Sequence, residues 1–227
     1  MDDLKLVNER RNFLGGVAAT AAAVGLGVLV PGAVATNAAA AATGTSTDFS
    51  KWLDSIPGKY RQVADAPEPN GGMGLIYTFA FLVSAPAGYG VPESEVGAVV
   101  VLRHNGIPIA FNDSVWAKYN LGTVFKVSDP ATKAPATRNP FAFIKPGDMP
   151  FPDAAQDKLV ARGVLFGVCN LAVTFFSGMV AKQMGLQPDA VKQEWIAGLL
   201  PGVQVVPSGV VALNGAQSRG CTYCFAG

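Results

Sequence analysis

The sequence predicts an α/β fold, a mainly parallel sheet with helices on both faces. Three observations lead there. Short apolar runs without alternation recur at 96–103, 164–170 and 203–206, as in strands buried on both sides. Helix-length segments bounded by capping residues and glycines lie between them. The gaps are short except for one turn-rich stretch at 123–152, as crossover connections in a parallel sheet require. With 227 residues, 50% hydrophobic and 15% charged, the chain can build one α/β domain with a core and carry additional segments.

The N-terminus reads as an address. Asn8-Glu9-Arg10-Arg11-Asn12-Phe13-Leu14 has paired arginines, a spacer and Phe-Leu. An apolar Gly/Ala-rich run over 15–30 follows, broken by Pro31, and Ala33-Val34-Ala35 supplies a small-x-small cleavage site. That order of regions predicts a twin-arginine signal peptide over 1–35, with an uncleaved N-terminal anchor as the alternative. The route carries folded proteins, so the mature domain is expected to work in the periplasm or another extracytoplasmic, oxidising space. Residues 36–72 are expected as a disordered Ala/Thr/Ser/Gly tether followed by an N-terminal extension.

Along the mature chain, residues 48–53 open a short helix with Phe49, Trp52, Leu53 and Ile56 on one side, stopped by Pro57-Gly58. Residues 66–72 are loop, so 48–72 is read as an extension lying on the domain, which itself spans 73–227. The run 75–84 (LIYTFAFLVS) is the first expected strand, with a loop over 85–90, and 96–103 is the second. His104-Asn105-Gly106 then turns the chain. Asn-Gly between apolar runs signals a hairpin whose return strand, 107–111, Pro108 confines to an edge. The competing reading is a glycine turn into a crossover that contains a helix. Asn112-Asp113 caps a helix carrying Val115, Trp116 and Tyr119, ended by Gly122.

The stretch 123–152 holds Phe125, Phe141, Phe143 and Phe151 among repeated prolines. A loop this long is a lid or a partner surface, or is stapled to the core by those rings. A polar-faced helix at 153–162 precedes the third strand, 164–170. Helices follow at 171–184 and 187–199, the second anchored by Trp195. Strand 203–206, helix 210–218 and strand 221–225 close the chain.

Composition excludes several function classes. Net charge is +1, and it stays +1 after removal of residues 1–35, which carry three cations (Lys5, Arg10, Arg11) and three anions (Asp2, Asp3, Glu9). No polybasic surface is implied, so neither nucleic acid nor an anionic membrane is the expected partner, a membrane entering only through an uncleaved signal segment. The single histidine excludes a multi-His metal site, and three cysteines are too few for a disulfide scaffold; no cofactor is expected, and without a glycine-rich phosphate loop a nucleotide is not expected.

The candidate chemistry centres on Cys169, where the third strand hands over to a helix. Ligands bind at the carboxyl edge of open α/β sheets, and a helix N-terminus favours a thiolate. Arg103 and His104, at the end of the second strand, are expected on the same edge, as thiolate stabiliser and as base or proton relay. Ser84, Asn105, Asn170 and Ser208 would line the same rim as substrate-binding residues. The other reading of Cys169 is a small core hydrophobe, and of His104 a hydrogen bonder in a turn. Cys221 and Cys224 form a Cys-x-x-Cys that reads as redox or persulfide-transfer pair, as inert or structural pair, or as metal ligands. In an extended strand these positions face opposite sides, which forbids a bond between them, and zinc would need Cys169 and His104 as well.

Residues 73–226 resemble the DsrE/DsrF-like family of small sulfur-relay proteins. The resemblance rests on the 75–84 run and on Arg103-His104-Asn105-Gly106. It rests also on Arg162-Gly163-Val164-Leu165-Phe166-Gly167-Val168-Cys169-Asn170, and on Val205-Val206-Pro207-Ser208-Gly209-Val210-Val211-Ala212-Leu213 with Gln217 and Gly220. It implies a flavodoxin-like three-layer α/β/α sandwich with a five-stranded sheet, and a homo-oligomer. It also implies a cysteine at position 169 carrying persulfide sulfur between donor and acceptor proteins. The export signal, the 123–152 insertion and the terminal Cys-x-x-Cys depart from the family pattern. The function expected is an exported domain that binds or relays sulfur through Cys169. The alternatives are a non-catalytic binding or assembly module with a buried structural cysteine, and a thiol–disulfide protein using Cys221 and Cys224.

Overall fold

The computed structural model describes residues 46–227. The expected signal segment and the start of the tether lie outside them. Five parallel strands form one sheet: β1 (Tyr60–Ala66), β2 (Val96–Leu102), β3 (Leu165–Cys169), β4 (Val203–Val206) and β5 (Cys221–Phe225). Their order is β4-β3-β2-β1-β5, so the chain steps outward from β1 to β4 and then returns to pair β5 with the other side of β1. Right-handed crossovers therefore put the intervening helices of the first three steps on one face and the last helix on the other.

The first face carries α2 (Met73–Tyr89), the short helices α3 (Asp113–Lys118), α4 (Leu121–Val124) and α5 (Gln156–Ala161), then α6 (Asn170–Met184) and α7 (Pro188–Ala197). It buries the larger core, with Leu75, Val100, Leu102, Phe111, Trp116, Phe166 and Trp195. The second face carries α1 (Ser46–Asp54) and α8 (Gly209–Gln217) over Val63, Val99, Val101 and Val206. The result is a three-layer α/β/α sandwich, as expected.

Two assignments change places. The expected strand over 75–84 is the middle of helix α2. A continuous apolar run does not distinguish a buried strand from a buried helix, and length arbitrates. Here the helix runs through Pro86 to a left-handed Gly90 (φ +66°), whose N–H donates to the Pro86 carbonyl. Leu75, Leu82 and Ala85 face the core while Tyr77, Val83 and Tyr89 are exposed.

The missing strand is β1, inside the segment expected as an extension. Its sequence, YRQVADA, carries too few apolar residues to read as a buried strand, yet Val63, Ala64, Asp65 and Ala66 are all buried. Small residues are needed there because α2 packs close. A Cβ on Gly74 would come within 2.8 Å of the Ala66 Cβ.

After β2 the chain forms a 3-10 segment, His104–Ala110, and no return strand pairs with it. The glycine-turn alternative is the one realised. A Cβ on Gly106 would lie 2.1 Å from the Ala66 carbonyl oxygen, so only glycine fits. Asn112 caps α3 as expected, its Oδ1 accepting from the Val115 N–H at 3.1 Å.

The 123–152 stretch is tied down. Phe125 and Phe141 are buried, while Phe143 and Phe151 are exposed. Asn139, 2% exposed, donates to the Ile109 and Phe111 carbonyls at 2.9 and 2.8 Å. Arg138 holds Asp148 through two bonds of 2.7 and 2.6 Å.

Candidate functional site

Parallel register brings the strand ends to one level. Ala66 pairs with Leu102, Leu102 with Val168, and Cys169 with Val206. One step past the Leu102–Val168 pair, Arg103 follows β2 beside Cys169. The carboxyl edge of the sheet thus carries most of the expected residues, divided into two groups.

The first group lies on the α8 side. Asp65 is 1% exposed, and the Arg103 guanidinium grips it with Nε and Nη2 at 2.7 and 2.9 Å. The Tyr223 hydroxyl on β5 donates to the same carboxylate at 2.7 Å. These bonds hold the guanidinium above its ordinary value, the hydrogen bonds to Asp65 contributing most and the charges of Asp65, Tyr223 and Cys169 less. The same bonding to Asp65 raises the Tyr223 phenol. Arg103 packs against the start of α8, where a Cβ on Gly209 would lie 2.5 Å from the Arg103 Cβ. Ser208 caps that helix by accepting from the Val211 N–H at 3.3 Å.

Cys169 sits at the N-cap of α6. Its Sγ accepts from the Ala172 N–H at 3.4 Å, so the sulfur replaces the usual capping oxygen. The residue is 7% exposed and touches the larger core, with Arg103 within electrostatic reach. Asn170, 5% exposed, begins α6 beside it.

The second group lies on the α6 side. His104, in the left-handed region at φ +49°, places Nδ1 3.2 Å from Glu68 Oε1, and Asn105 Nδ2 donates to the same oxygen at 3.0 Å. The His104 ring stands edge-on to Phe176 of α6, 6.2 Å between centroids. The structure therefore pairs His104 with Glu68 rather than with the thiol. Beyond this trio opens a cleft of about 980 Å³, walled by Phe125, Phe141, Phe176 and Met179 and edged by Glu68, Asn70, Asn105 and Lys126. Concave, aromatic-walled space at the carboxyl edge of a parallel sheet is where such folds bind ligands.

Ser84 does not join the rim. It lies near the end of α2, exposed, with its hydroxyl donating to the Ala80 carbonyl at 2.6 Å. Because α2 runs back from the rim, eleven residues of helix past Met73 carry Ser84 about 16 Å along its axis. The expectation failed with the strand it rested on. Cys221 and Cys224 are free thiols on β5, beside Arg61 and Ala64 of β1. Burial raises both thiols. Among the described residues no three His, Cys, Asp or Glu side chains converge to hold a metal ion.

Asp65, Glu68 and Tyr223 escaped sequence reasoning. One signal was present: an arginine at a buried strand end needs a buried counter-charge. Asp65, at the end of a seven-residue stretch stopped by Pro67, was a candidate.

No protein-family model matches this chain, and no curated protein matches it. A solved structure similar to it is that of a protein of unknown function from Methanobacterium thermoautotrophicum, at 20% identity. That match covers 73% of this chain and 98% of the other, with a TM-score of 0.37.

Proposed function

We propose that this chain is an exported DsrE-like protein that carries sulfane sulfur on Cys169. The observation that carries the reading is the capped thiol: Sγ at the end of β3 accepts the Ala172 N–H at 3.4 Å, with the Arg103 guanidinium nearby. The Ala172 N–H meets charge that develops on sulfur when it attacks or leaves, and in this reading the Arg103 charge adds to it from a distance. The step is an exchange without net oxidation. The Cys169 thiolate attacks the outer sulfur of a donor persulfide, a new S–S bond forms, the donor's own S–S bond breaks, and the donor departs as its thiolate. Transfer to an acceptor thiolate runs the same chemistry in the other direction.

Arg103 has a positioning role in this reading, its planar fork fixed by Asp65 so that its remaining charge serves the sulfur. Leu171 and Val210, two residues beyond Cys169 and Ser208, are each 64% exposed, which suits transient docking of a donor or acceptor protein beside the thiol. Export rests on the twin-arginine pattern of residues 8–14.

A second reading has its own observation. Cys169 is only 7% exposed and belongs to the core, while the aromatic cleft lies beside His104 and Glu68. That favours a non-catalytic binding module with a structural cysteine. Alkylation of the folded protein decides between them. Iodoacetamide should label Cys169 faster than Cys221, although the two are equally buried at 7% and 6% exposed, and Arg103→Met should slow the labelling. Labelling of Cys169 only after unfolding would leave the binding module.

A further inference from the structure

The two edges of the sheet are unlike. β4 is short, is bracketed by Pro201 and Pro207, and has the Gln204 side-chain amide donating to the Val205 carbonyl at 3.2 Å. Short runs and prolines are how edge strands avoid pairing with another chain. β5 has no such protection. Cys221-Thr222-Tyr223-Cys224-Phe225 contains neither a charged residue nor a proline. Among the described residues no strand pairs with its outer side.

One bond fixes the direction of its backbone groups. The Ala226 N–H donates to the Asp65 carbonyl at 2.9 Å, so Ala226 faces β1. Direction alternates along a strand. Thr222 and Cys224 therefore also face β1, while Cys221, Tyr223 and Phe225 turn N–H and C=O to the open edge. Aromatic surface surrounds that edge. Tyr223 is 48% and Phe225 55% exposed, on one face of the sheet. On the other face Gly74 of α2 lies against β5, where a Cβ would sit 3.9 Å from the Ala226 Cβ. Tyr77, three residues on along the same side of that helix, is 41% exposed.

We infer that β5 is the interface of a homodimer, in which two copies pair their β5 strands antiparallel into one continuous sheet. A two-fold axis at Tyr223 satisfies every outward group: Tyr223 exchanges both bonds with Tyr223 of the second copy, and Cys221 exchanges both with Phe225. A shift of one residue sets outward groups against inward ones, and a shift of two leaves an end residue unpaired, so the register is fixed. Charge suits a second copy as the occupant. Arg61, paired with Cys221, and Arg219, whose carbonyl accepts from Arg61 Nη1 at 3.0 Å, lie at the amino end of β5. The two-fold axis sends them to opposite ends of the joined strands, where they do not repel their counterparts. Covering Tyr77, Tyr223 and Phe225 with the strand edges on both copies buries on the order of 1,000 Å² in total, the low end for a specific interface. The dimer is accordingly weak, with a dissociation constant of about 10 μM. Cys169, on β3, lies well away from the contact, so the inference is independent of its chemistry.

The test uses the full chain. In this register Thr222 stands opposite Cys224 of the second copy, a non-hydrogen-bonded pair with Cα atoms about 4.5 Å apart, within disulfide reach. Mild oxidation of Thr222→Cys should give a covalent dimer on a non-reducing gel, with peptide mass spectrometry placing the bond between positions 222 and 224. The native chain and Thr222→Ser should give none. Adding Phe225→Pro should abolish the covalent dimer. The Phe225 N–H faces outward, so proline there removes no bond to β1 and the circular dichroism spectrum should be unchanged. In sedimentation equilibrium, Phe225→Pro alone should weaken self-association about ten-fold or more. The inference is overturned by a native chain that stays monomeric at ~100 μM, by a dimer that Phe225→Pro leaves intact, or by a covalent dimer joined through other cysteines.

Discussion

Asp65 is a nearly fully buried carboxylate whose charge is met by one guanidinium and one phenol. Removing the guanidinium strands the charge, so Arg103→Met should lower stability by about 3 kcal/mol, the low end for a broken buried pair because Arg103 is 28% exposed. Tyr223→Phe, which leaves the ion pair in place, should cost only about 1 kcal/mol. Urea midpoints compare the two, and equal losses would show that Arg103 does not neutralise Asp65. At this scale the sequence revealed Arg103 and Asn105, which follow an apolar strand, and Cys169 and Ser208, which cap helices. Asp65 and Glu68 answer Arg103 and Asn105, and Tyr223 answers Asp65. Which residue answers which is a property of sheet order that spacing along the chain does not encode.

The 123–152 stretch behaves as a fixed element because polar side chains replace the missing regular backbone bonding. Its central pair is Arg138 and Asp148, 17% and 3% exposed, and the Arg138 bonds hold the Asp148 carboxyl below the ordinary carboxylate range. A carboxyl depressed on folding contributes stability above its unfolded value of about 3.9 and loses it as pH falls through the lower folded value. The difference in urea midpoint between the native chain and Arg138→Met should therefore be full at pH ~6 and shrink below pH ~4. A difference that stays constant across that range would exclude the pair as its source. Helix α8 offers a second check: Ser208→Ala should cost about 1 kcal/mol, as the loss of an N-cap does. Element boundaries were legible where caps and glycines mark them, as at Asn112, Gly163, Gly185 and Ser208. They were illegible where a run is apolar throughout, as in α2, or where packing demands small residues, as in β1.

For the molecule as a whole, β1 is the hinge of the topology, pairing with β2 on one side and β5 on the other. Leu53 and Ile56, just before it, are each 2% exposed beneath the second face. A fragment of residues 73–227 should therefore fail to fold, with no cooperative thermal transition by circular dichroism, whereas residues 46–227 should show one. Cooperative folding of the shorter fragment would return β1 to the status of an extension. The three-layer class was legible despite the exchange of α2 and β1, because one strand gained and one lost in neighbouring segments leave the count at five and the rim where it was.

That rim is where the functional account stands or falls, at the sulfur atom of Cys169. The most direct measurement is mass spectrometry of the folded chain after exposure to a low-molecular-weight persulfide. The account predicts one added sulfur on Cys169, lost in Cys169→Ser and retained in Cys221→Ser and Cys224→Ser. Sulfur added only at Cys224, or nowhere, would contradict it.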